Sequence, residues 1–196
     1  MRRTQLAIKR MCDAIMSLSI LLLGFPLLAL IAALVKLSSP GPVFFVQERI
    51  GKGEKPFRMI KFRTMAVARD GKQGTSSSAA DAARVTRVGR FLRDYGLDEL
   101  PQAINILRGE MSVVGPRAPL PQRAHAYSER QRRVFKMRPG LVSIAVYEGR
   151  RSIPMEQRIE LHVRYVETWS LCLDLKILLR AVPVVLFRRD TQDVSG

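Results

Sequence analysis

The stretch Leu97-Asp98-Glu99-Leu100-Pro101-Gln102 places two adjacent carboxylates between leucines, and the rest of the chain is organised around it. Gly96, just before it, can end one helix, and Pro101 suits the first turn of the next, where its missing N–H costs nothing. Asp98 is then predicted to be an N-cap at the positive end of a helix dipole, a position that also attracts phosphate. Spacing alone leaves two interpretations open. Either Asp98 caps a helix beside a solvated Glu99, or the two carboxylates belong to a catalytic site.

A basic helix is predicted to lead into the carboxylate pair. Arg87, Arg90 and Arg93 recur at three-residue spacing within residues 84–94, which places them on one helical stripe. The preceding segment 69–83 is polar and contains glycines, which predicts a mobile loop. That loop is either a lid over a site or plain surface.

A β-hairpin is predicted nearer the N-terminus. Residues 43–47 and 57–62 are rich in β-forming residues and flank a loop that contains glycine and proline. Lys61 and Arg63 alternate with Phe62, so both charges are expected on one side of the strand. The alternative is a solvated strand face.

Downstream of the carboxylates, a helix is predicted from about residue 100 to 107, with Gly109 as its terminator. Residues 111–114 are short and apolar, which predicts a buried strand, and the Gly-Pro turn after them presents Arg117. A basic helix is predicted over residues 122–137.

Two more helices are predicted in the C-terminal part of the chain. Residues 154–166 have an amphipathic pattern, and residues 171–187 mix apolar with charged side chains. The second is expected to lie in a membrane interface with its arginines reaching phosphates, and a core helix is the alternative. His125 and His162 stand alone, without a ligand pattern, and are interpreted as structural or surface residues.

The composition limits the class of protein. A chain of 196 residues favours one globular domain with appendages. Its formal net charge of +16 indicates anionic partners, while 47% hydrophobic residues exclude a disordered basic tail. Cys12 and Cys172 lack paired spacing, so neither a disulfide framework nor a metal site is expected and a reducing cytoplasm fits. No nucleic-acid partner is expected, because the sequence lacks a basic groove interleaved with aromatic residues.

An apolar run covers residues 14–35, about 22 residues and enough for a helix to cross a bilayer core of about 30 Å. Pro26, near its middle, removes a backbone hydrogen bond and predicts a kink. Basic residues flank both ends, so the positive-inside rule assigns no orientation. A kinked spanning helix is one interpretation. The favoured one is a re-entrant helix broken at Pro26, with Asp13 at the membrane interface near Lys9 and Arg10.

Three ordered motifs resemble the bacterial sugar transferase family, the monotopic phosphoglycosyl transferases. They are residues 61–65, the carboxylate stretch 97–102 and residues 111–117, and the resemblance extends from about Lys9 to about Leu179. The expected fold is therefore α/β, mostly helical with a short β-hairpin, in a monotopic membrane protein with a re-entrant helix and interfacial amphipathic helices. The expected domains are a re-entrant membrane helix over residues 1–38 and a cytoplasmic or interfacial catalytic domain over residues 39–196.

The resemblance implies transfer of a sugar-1-phosphate from a UDP-sugar to polyprenol (undecaprenyl) phosphate, with release of UMP. It assigns Asp98 as the nucleophile that forms a covalent phosphosugar intermediate, and Glu99 assists with Mg²⁺ or by deprotonating the acceptor. Both carboxylates are expected to hold Mg²⁺, because a carboxylate attacks an anionic phosphate poorly unless a cation neutralises the charge. The expected setting is the cytoplasmic face of the bacterial inner membrane, in contact with the lipid bilayer, at the first membrane step of glycan assembly. A homodimer is left open.

Basic residues are expected to bind both anionic substrates and to offset charge in the transition state. They are Lys61, Arg63, Arg93, Arg117 and Arg150. The chain departs from the family pattern at Phe25, at Ala118 and over residues 142–149, the last of which bears on donor specificity. The alternative function is a non-catalytic membrane scaffold of a glycan-assembly complex, which would tolerate Asp98→Asn but not charge reversal at the arginines.

Overall fold

The computed structural model describes residues 2–67, 83–146 and 154–186. Its helices are α1 (Arg2–Leu23), α2 (Phe25–Ser38), α3 (Arg87–Asp94), α4 (Gln102–Arg108), α5 (Pro121–His125), α6 (Met155–Thr168) and α7 (Leu171–Leu186). Its strands are β1 (Phe44–Ile50), β2 (Pro56–Phe62), β3 (Ser112–Val114) and β4 (Gly140–Val142). Short 3-10 turns occur at Lys52–Glu54, Leu97–Glu99, Gln131–Lys136 and Ile144–Val146. The expected mostly helical α/β chain with a short hairpin is confirmed.

Helices α1 and α2 form one apolar pair with a bend of 64°. Gly24 lies at the break, and Pro26 falls in the first turn of α2, where its missing N–H is no loss. No single helix in the described ranges has the length and apolarity to cross a bilayer, whereas this bent pair does on length and composition. The predicted break near Pro26 is therefore present.

Large apolar side chains are exposed along the bent pair. Leu23 and Leu37 are each 84% exposed, and burial on α2 is confined to Ile31 and Val35. Exposed apolar surface of this kind marks a membrane or protein contact. Helix α7 has both a core face and an exposed face, because Ile177 is fully buried while its neighbours Leu175 and Leu179 are exposed.

The hairpin and the two short strands build the two small sheets. Strands β1 and β2 pair antiparallel with Phe44 opposite Phe62, which confirms the predicted hairpin. Strands β3 and β4 pair in parallel, with Ser112 opposite Gly140. A side chain at Gly140 would lie 2.0 Å from the Gly115 backbone nitrogen, so this crossing requires glycine. The predicted buried strand is confirmed, since all of β3 is buried.

The predicted helix over residues 122–137 is wrong. Helix α5 ends at His125, and a separate 3-10 turn covers Gln131–Lys136. Ser128 and Gln131 cause the break, because each side chain accepts a hydrogen bond from the other's backbone N–H. This reciprocal capping starts a new turn instead of continuing the helix.

Asp13 and Lys9 are both buried within the protein, and the expected position of Asp13 at a membrane interface stays a prediction. Asp13 accepts hydrogen bonds from Ser112 Oγ at 2.8 Å and Val113 N at 2.9 Å. Lys9 Nζ lies 2.6 Å from Asp174 Oδ2, which ties α1 to α7. These contacts hold α1 against the rest of the chain, and the division at residue 38 stays a prediction.

Candidate active site

The two carboxylates lie on a tight 3-10 turn, Leu97–Glu99, between α3 and α4. Gly96 allows this turn because its φ of 67° is in the left-handed region, which favours glycine. The flanking leucines, Leu97 and Leu100, pack against the buried cluster that contains Ile31 and Val35 of α2. The carboxylate turn therefore rests on the second arm of the bent apolar pair.

Asp98 is not the N-cap that the spacing predicts. Helix α4 begins at Gln102 behind Pro101, and no side chain caps it. The 3-10 turn closes through a hydrogen bond from Leu100 N to Leu97 O at 3.3 Å, which keeps Asp98 inside the turn. Gly109, by contrast, ends α4 as predicted.

Asp98 is buried, at 8% exposure, and burial raises its pKa to about 6. Lys61 and Arg93 lower this pKa and Glu99 raises it, but burial is the largest influence. A buried acid with a strongly shifted pKa and specific charged neighbours is a candidate for catalysis.

Glu99 has the opposite electrostatic character. Its Oε1 atom lies 2.9 Å from Lys61 Nζ and 3.1 Å from Arg117 Nη2. Burial alone would raise the pKa of Glu99, but Arg117 and Lys61 outweigh burial and lower it to about 2. Glu99 is thus ionised at any ordinary pH and brings two cations together beside Asp98.

Among the remaining predicted site residues, the structure describes Arg93 but not Arg150. Arg93 donates its Nε–H to Thr64 Oγ1 at 2.8 Å, and its charge acts on Asp98. Arg150 lies outside the described residues, as do most of the predicted loop 69–83 and residues 147–149. The described site therefore consists of Asp98 and Glu99 with Lys61, Arg93 and Arg117.

Arg63 has different partners from Lys61. It is buried and donates to the backbone oxygens of Val35 at 3.3 Å, Ser39 at 2.7 Å and Pro40 at 2.7 Å. These carbonyls belong to the C-terminal end of α2 and the turn after it, so Arg63 caps that end. No hydrogen bond between Arg63 and the carboxylate pair occurs within the described ranges, and this geometry favours a structural role.

The turn that presents Arg117 is fastened from two sides. Gly115 N donates to Val142 O at 3.0 Å on one side, and Ile50 N donates to Pro119 O at 3.1 Å on the other. This turn is therefore held between β4 and β1.

Sequence reasoning missed two residues beside Arg117. Arg49 of β1 donates to Ala118 O at 3.1 Å, although it lies far from that turn along the chain. His162 is buried, and its pKa is lowered to about 4 by burial and by the charges of Arg117 and Arg158. In the sequence, His162 is a lone histidine in an amphipathic helix. This pattern predicted a structural or surface residue but gave no indication that Arg117 and Arg158 lie near it.

No group of three or more His, Cys, Asp or Glu side chains converges in the part of the chain that the structure describes. Asp98 and Glu99 offer adjacent carboxylates, a set that holds an ion only with further ligands from a substrate. The arrangement combines a buried carboxylate with a raised pKa, a neighbouring ionised carboxylate and a group of cations. Such a set suits chemistry on an anionic substrate.

Comparison with known proteins gives consistent matches over nearly the whole chain. A family model described as bacterial sugar transferase matches residues 4–188. A UDP-glucose:undecaprenyl-phosphate glucose-1-phosphate transferase of Caulobacter vibrioides is 44% identical over 186 residues, covering 91% of this chain and 69% of that protein. A protein of the same name from Escherichia coli is 42% identical over 187 residues, covering 89% and 39%. An exopolysaccharide production protein of Rhizobium meliloti is 37% identical over 195 residues, covering 92% and 86%. Since the family model matches the whole described site as well as the bent helix pair, this chain belongs to the bacterial sugar transferase family.

Proposed function

We propose that this protein transfers a sugar-1-phosphate from a UDP-sugar to polyprenol phosphate and releases UMP. The relatives from Caulobacter vibrioides and Escherichia coli are named for glucose-1-phosphate transfer from UDP-glucose to undecaprenyl phosphate, which makes UDP-glucose the first donor to test. The product is a polyprenyl-diphosphate-sugar. It would begin the assembly of a bacterial glycan, in keeping with the name of the Rhizobium meliloti relative.

The observation that carries this proposal is the position of the carboxylate turn on the bent apolar pair. Leu97 and Leu100 pack against α2, while Asp98 and Glu99 between them meet cations. An acceptor with an apolar tail and a phosphate head needs an apolar surface and a cationic site side by side. A water-soluble nucleotide sugar needs only the cationic site.

Asp98 is the proposed nucleophile in a two-step transfer. Its carboxylate oxygen attacks the β-phosphorus of the donor, and the bond from that phosphorus to the bridging oxygen breaks. UMP leaves with the bonding electrons. A phosphate oxygen of the polyprenol phosphate then attacks the same phosphorus, and the bond to Asp98 breaks to restore the carboxylate.

Lys61 and Arg117 are proposed to exchange partners when the donor binds. In the free protein both contact the same oxygen of Glu99, so they already converge at one point. Donor phosphate would compete for them and would gain two cations that need little reorganisation. Glu99 would then be released to bind a metal ion or to accept a proton from the acceptor.

Asp98 and Glu99 are proposed to hold Mg²⁺. Their chemistry fits, because magnesium takes oxygen ligands and is bound through one or two carboxylates together with substrate phosphates. The bound ion would neutralise negative charge on the donor phosphates. Lys61 and Arg117, once they have left Glu99, would orient the same phosphates.

The bent pair is proposed to enter and leave the same face of the bacterial inner membrane, on its cytoplasmic side. Its exposed leucines provide the apolar surface, and the capping of α2 by Arg63 fixes where the chain leaves it. This topology would bring the carboxylate turn to the depth of the lipid phosphates.

The test is release of UMP by the full chain in nanodiscs with Mg²⁺, undecaprenyl phosphate and a panel of UDP-sugars. We expect one donor to support turnover. Asp98→Asn is expected to abolish release, and Glu129→Gln, an exposed carboxylate elsewhere on the chain, is the matched control. Turnover unaffected by Asp98→Asn would contradict the catalytic proposal and favour a membrane scaffold.

A second measurement separates covalent from direct transfer. Without acceptor, a covalent route releases at most one UMP per protein and leaves sugar phosphate on Asp98, which mass spectrometry of peptides detects. Direct transfer would give neither the stoichiometric burst nor the modified peptide.

A further inference from the structure

A partly buried arginine beside Arg117 has no role in the mechanism above. Arg49, near the end of β1, donates from Nη1 to Ala118 O at 3.1 Å and from Nη2 to Gln47 Oε1 at 2.7 Å. Both partners are neutral, so these contacts orient the guanidinium without compensating its charge. They hold Arg49 against the residue that follows Arg117.

The groups around Arg49 carry more positive than negative charge. Burial, the largest influence, and the charges of Arg117 and Arg123 together lower the pKa of Arg49 to about 10. Glu99 acts on Arg49 in the opposite direction, but its carboxylate already pairs with Lys61 and Arg117. The cations therefore share one carboxylate, and an added anion would relieve their repulsion.

Arg49 also has a donor left over. Its Nε–H is buried and makes no hydrogen bond within the described ranges. Buried donors without partners are uncommon because each costs the free energy of the lost hydration. The guanidinium fork is the side chain best matched to phosphate oxygens, so a phosphate would satisfy both the charge and the donor.

The position of Arg49 indicates which phosphate it contacts, if the proposed function holds. The phosphorus under attack must lie against Asp98, where the charge of Lys61 acts. Arg49 makes its contacts one residue beyond Arg117 and pairs with neither carboxylate in the described structure. It is therefore suited to the adjacent phosphate of the diphosphate, the one that departs.

We propose that Arg49, together with Arg117, binds the phosphate of the nucleoside monophosphate that leaves the donor. When the bond between the β-phosphorus and the bridging oxygen breaks, the electron pair goes to that oxygen, which becomes part of the UMP phosphate. The added negative charge develops next to two guanidinium groups. Arg49 thereby stabilises the leaving group and also retains UMP as an inhibitory product.

The experiment measures binding of UMP and of uridine to the full chain in nanodiscs by calorimetry, with and without Mg²⁺. We compare the wild type with Arg49→Gln and Arg49→Lys, and use Arg132→Gln, which removes an arginine paired with Glu54 on the surface, as the control. Arg49→Gln is expected to weaken UMP binding about tenfold to a hundredfold and to leave uridine binding unchanged, as for loss of a charged phosphate contact. Arg49→Lys should recover part of the loss, and product inhibition by UMP should weaken in parallel.

Two results would overturn this inference. Unchanged UMP affinity in Arg49→Gln would show that Arg49 does not contact the phosphate. Equal loss of UMP and uridine affinity would show that Arg49 acts only by holding the turn at Ala118. Both are distinct from failure of the proposed function, which would appear as a wild-type protein that releases no UMP from any UDP-sugar.

Discussion

Asp98 and Glu99 are neighbours in the chain, yet their pKa values shift in opposite directions. Burial raises the pKa of Asp98 to about 6, whereas the cations on Glu99 overcome its burial and lower its pKa to about 2. Divergent pKa values in two adjacent acids are a mark of divided roles. The difference arises because Lys61 and Arg117 both contact Glu99 and neither forms an ion pair with Asp98 within the described ranges.

Asp98→Asn is expected to stabilise the protein while it abolishes turnover. The folded carboxyl binds its proton more tightly than the unfolded one, with a pKa of about 6 against 3.8, so the charged form costs stability above pH 6. Removing the charge should raise the free energy of unfolding at pH 7.5 by about 1–3 kcal/mol. Thermal unfolding in nanodiscs measures this, and the gain should shrink at pH 4.5. A lower melting temperature at pH 7.5 would contradict the expectation.

Glu99→Gln is expected to have the opposite effect on stability. Its folded pKa is about 2 against 4.5, so its contribution is present above pH 4.5 and is lost as the pH falls toward 2. The substitution leaves Lys61 and Arg117 facing each other without a carboxylate. We expect a loss of about 1–3 kcal/mol at pH 7.5, measured by the same thermal unfolding and compared with Glu129→Gln. An unchanged melting temperature would show that solvent already screens these ion pairs.

The pH dependence of activity should report Asp98. Because the nucleophile must be ionised, kcat/KM for UMP release should fall about tenfold per pH unit below pH 6. Lys61 lowers the pKa of Asp98, so Lys61→Gln should move this acidic limb to higher pH in addition to slowing the reaction. Arg132→Gln should leave the limb in place. An acidic limb that Lys61→Gln leaves in place would assign the titration to a different group.

At the scale of elements, the end of α2 depends on one side chain from the hairpin. Arg63 follows β2 directly and donates to the carbonyls of Val35, Ser39 and Pro40, at and just beyond the C-terminal end of α2. The alternation with Lys61 predicted a shared direction for the two charges. The structure gives them different partners because α2 packs against the end of the hairpin at Phe62.

Arg63→Lys tests the structural role of that cap. A lysine cannot reach three carbonyls in different directions, and we expect a loss of about 1–3 kcal/mol in the free energy of unfolding. The KM for the donor should change little. Arg58→Lys, on an exposed position of β2, is the matched control. A tenfold higher donor KM with unchanged melting temperature would instead place Arg63 in the substrate site.

At the scale of the whole molecule, one buried network joins the two ends of the described chain. Lys9 and Asp174 form an ion pair across 165 residues of sequence. Tyr165 and Trp169 donate hydrogen bonds to the same carboxylate, and Lys9 also donates to Val114 O. Val114 directly precedes the turn that presents Arg117, so the network ties the bent pair to the active site.

Breaking this ion pair should be costly from either side. Lys9→Met leaves a buried carboxylate without its cation, and Asp174→Asn leaves a buried ammonium without its anion, at about 3–5 kcal/mol each. The double variant should cost less than the sum, which thermal unfolding in a double-mutant cycle measures. Lys176→Met, on the exposed face of α7, is the control. Strict additivity would show that the pair contributes no coupling.

Much of the secondary structure follows from local sequence. Four features depend mainly on residues close together in sequence and could therefore be predicted. They are the hairpin, the break near Pro26, the end of α4 at Gly109 and the buried strand β3. The helix predicted over residues 122–137 failed because a side-chain capping pair, Ser128 with Gln131, competes with helical propensity.

The sequence by itself determined the motifs, their order and hence the family, because these depend only on residue types along the chain. The tertiary structure decided which groups meet: Lys61 and Arg117 on Glu99, Arg49 beside Ala118, and the carboxylate turn on α2. It also decided that Asp98 is buried within a turn and is not a helix cap. The physical reason is that burial and charge pairing arise between residues far apart in sequence, and these set the pKa values on which the chemistry depends.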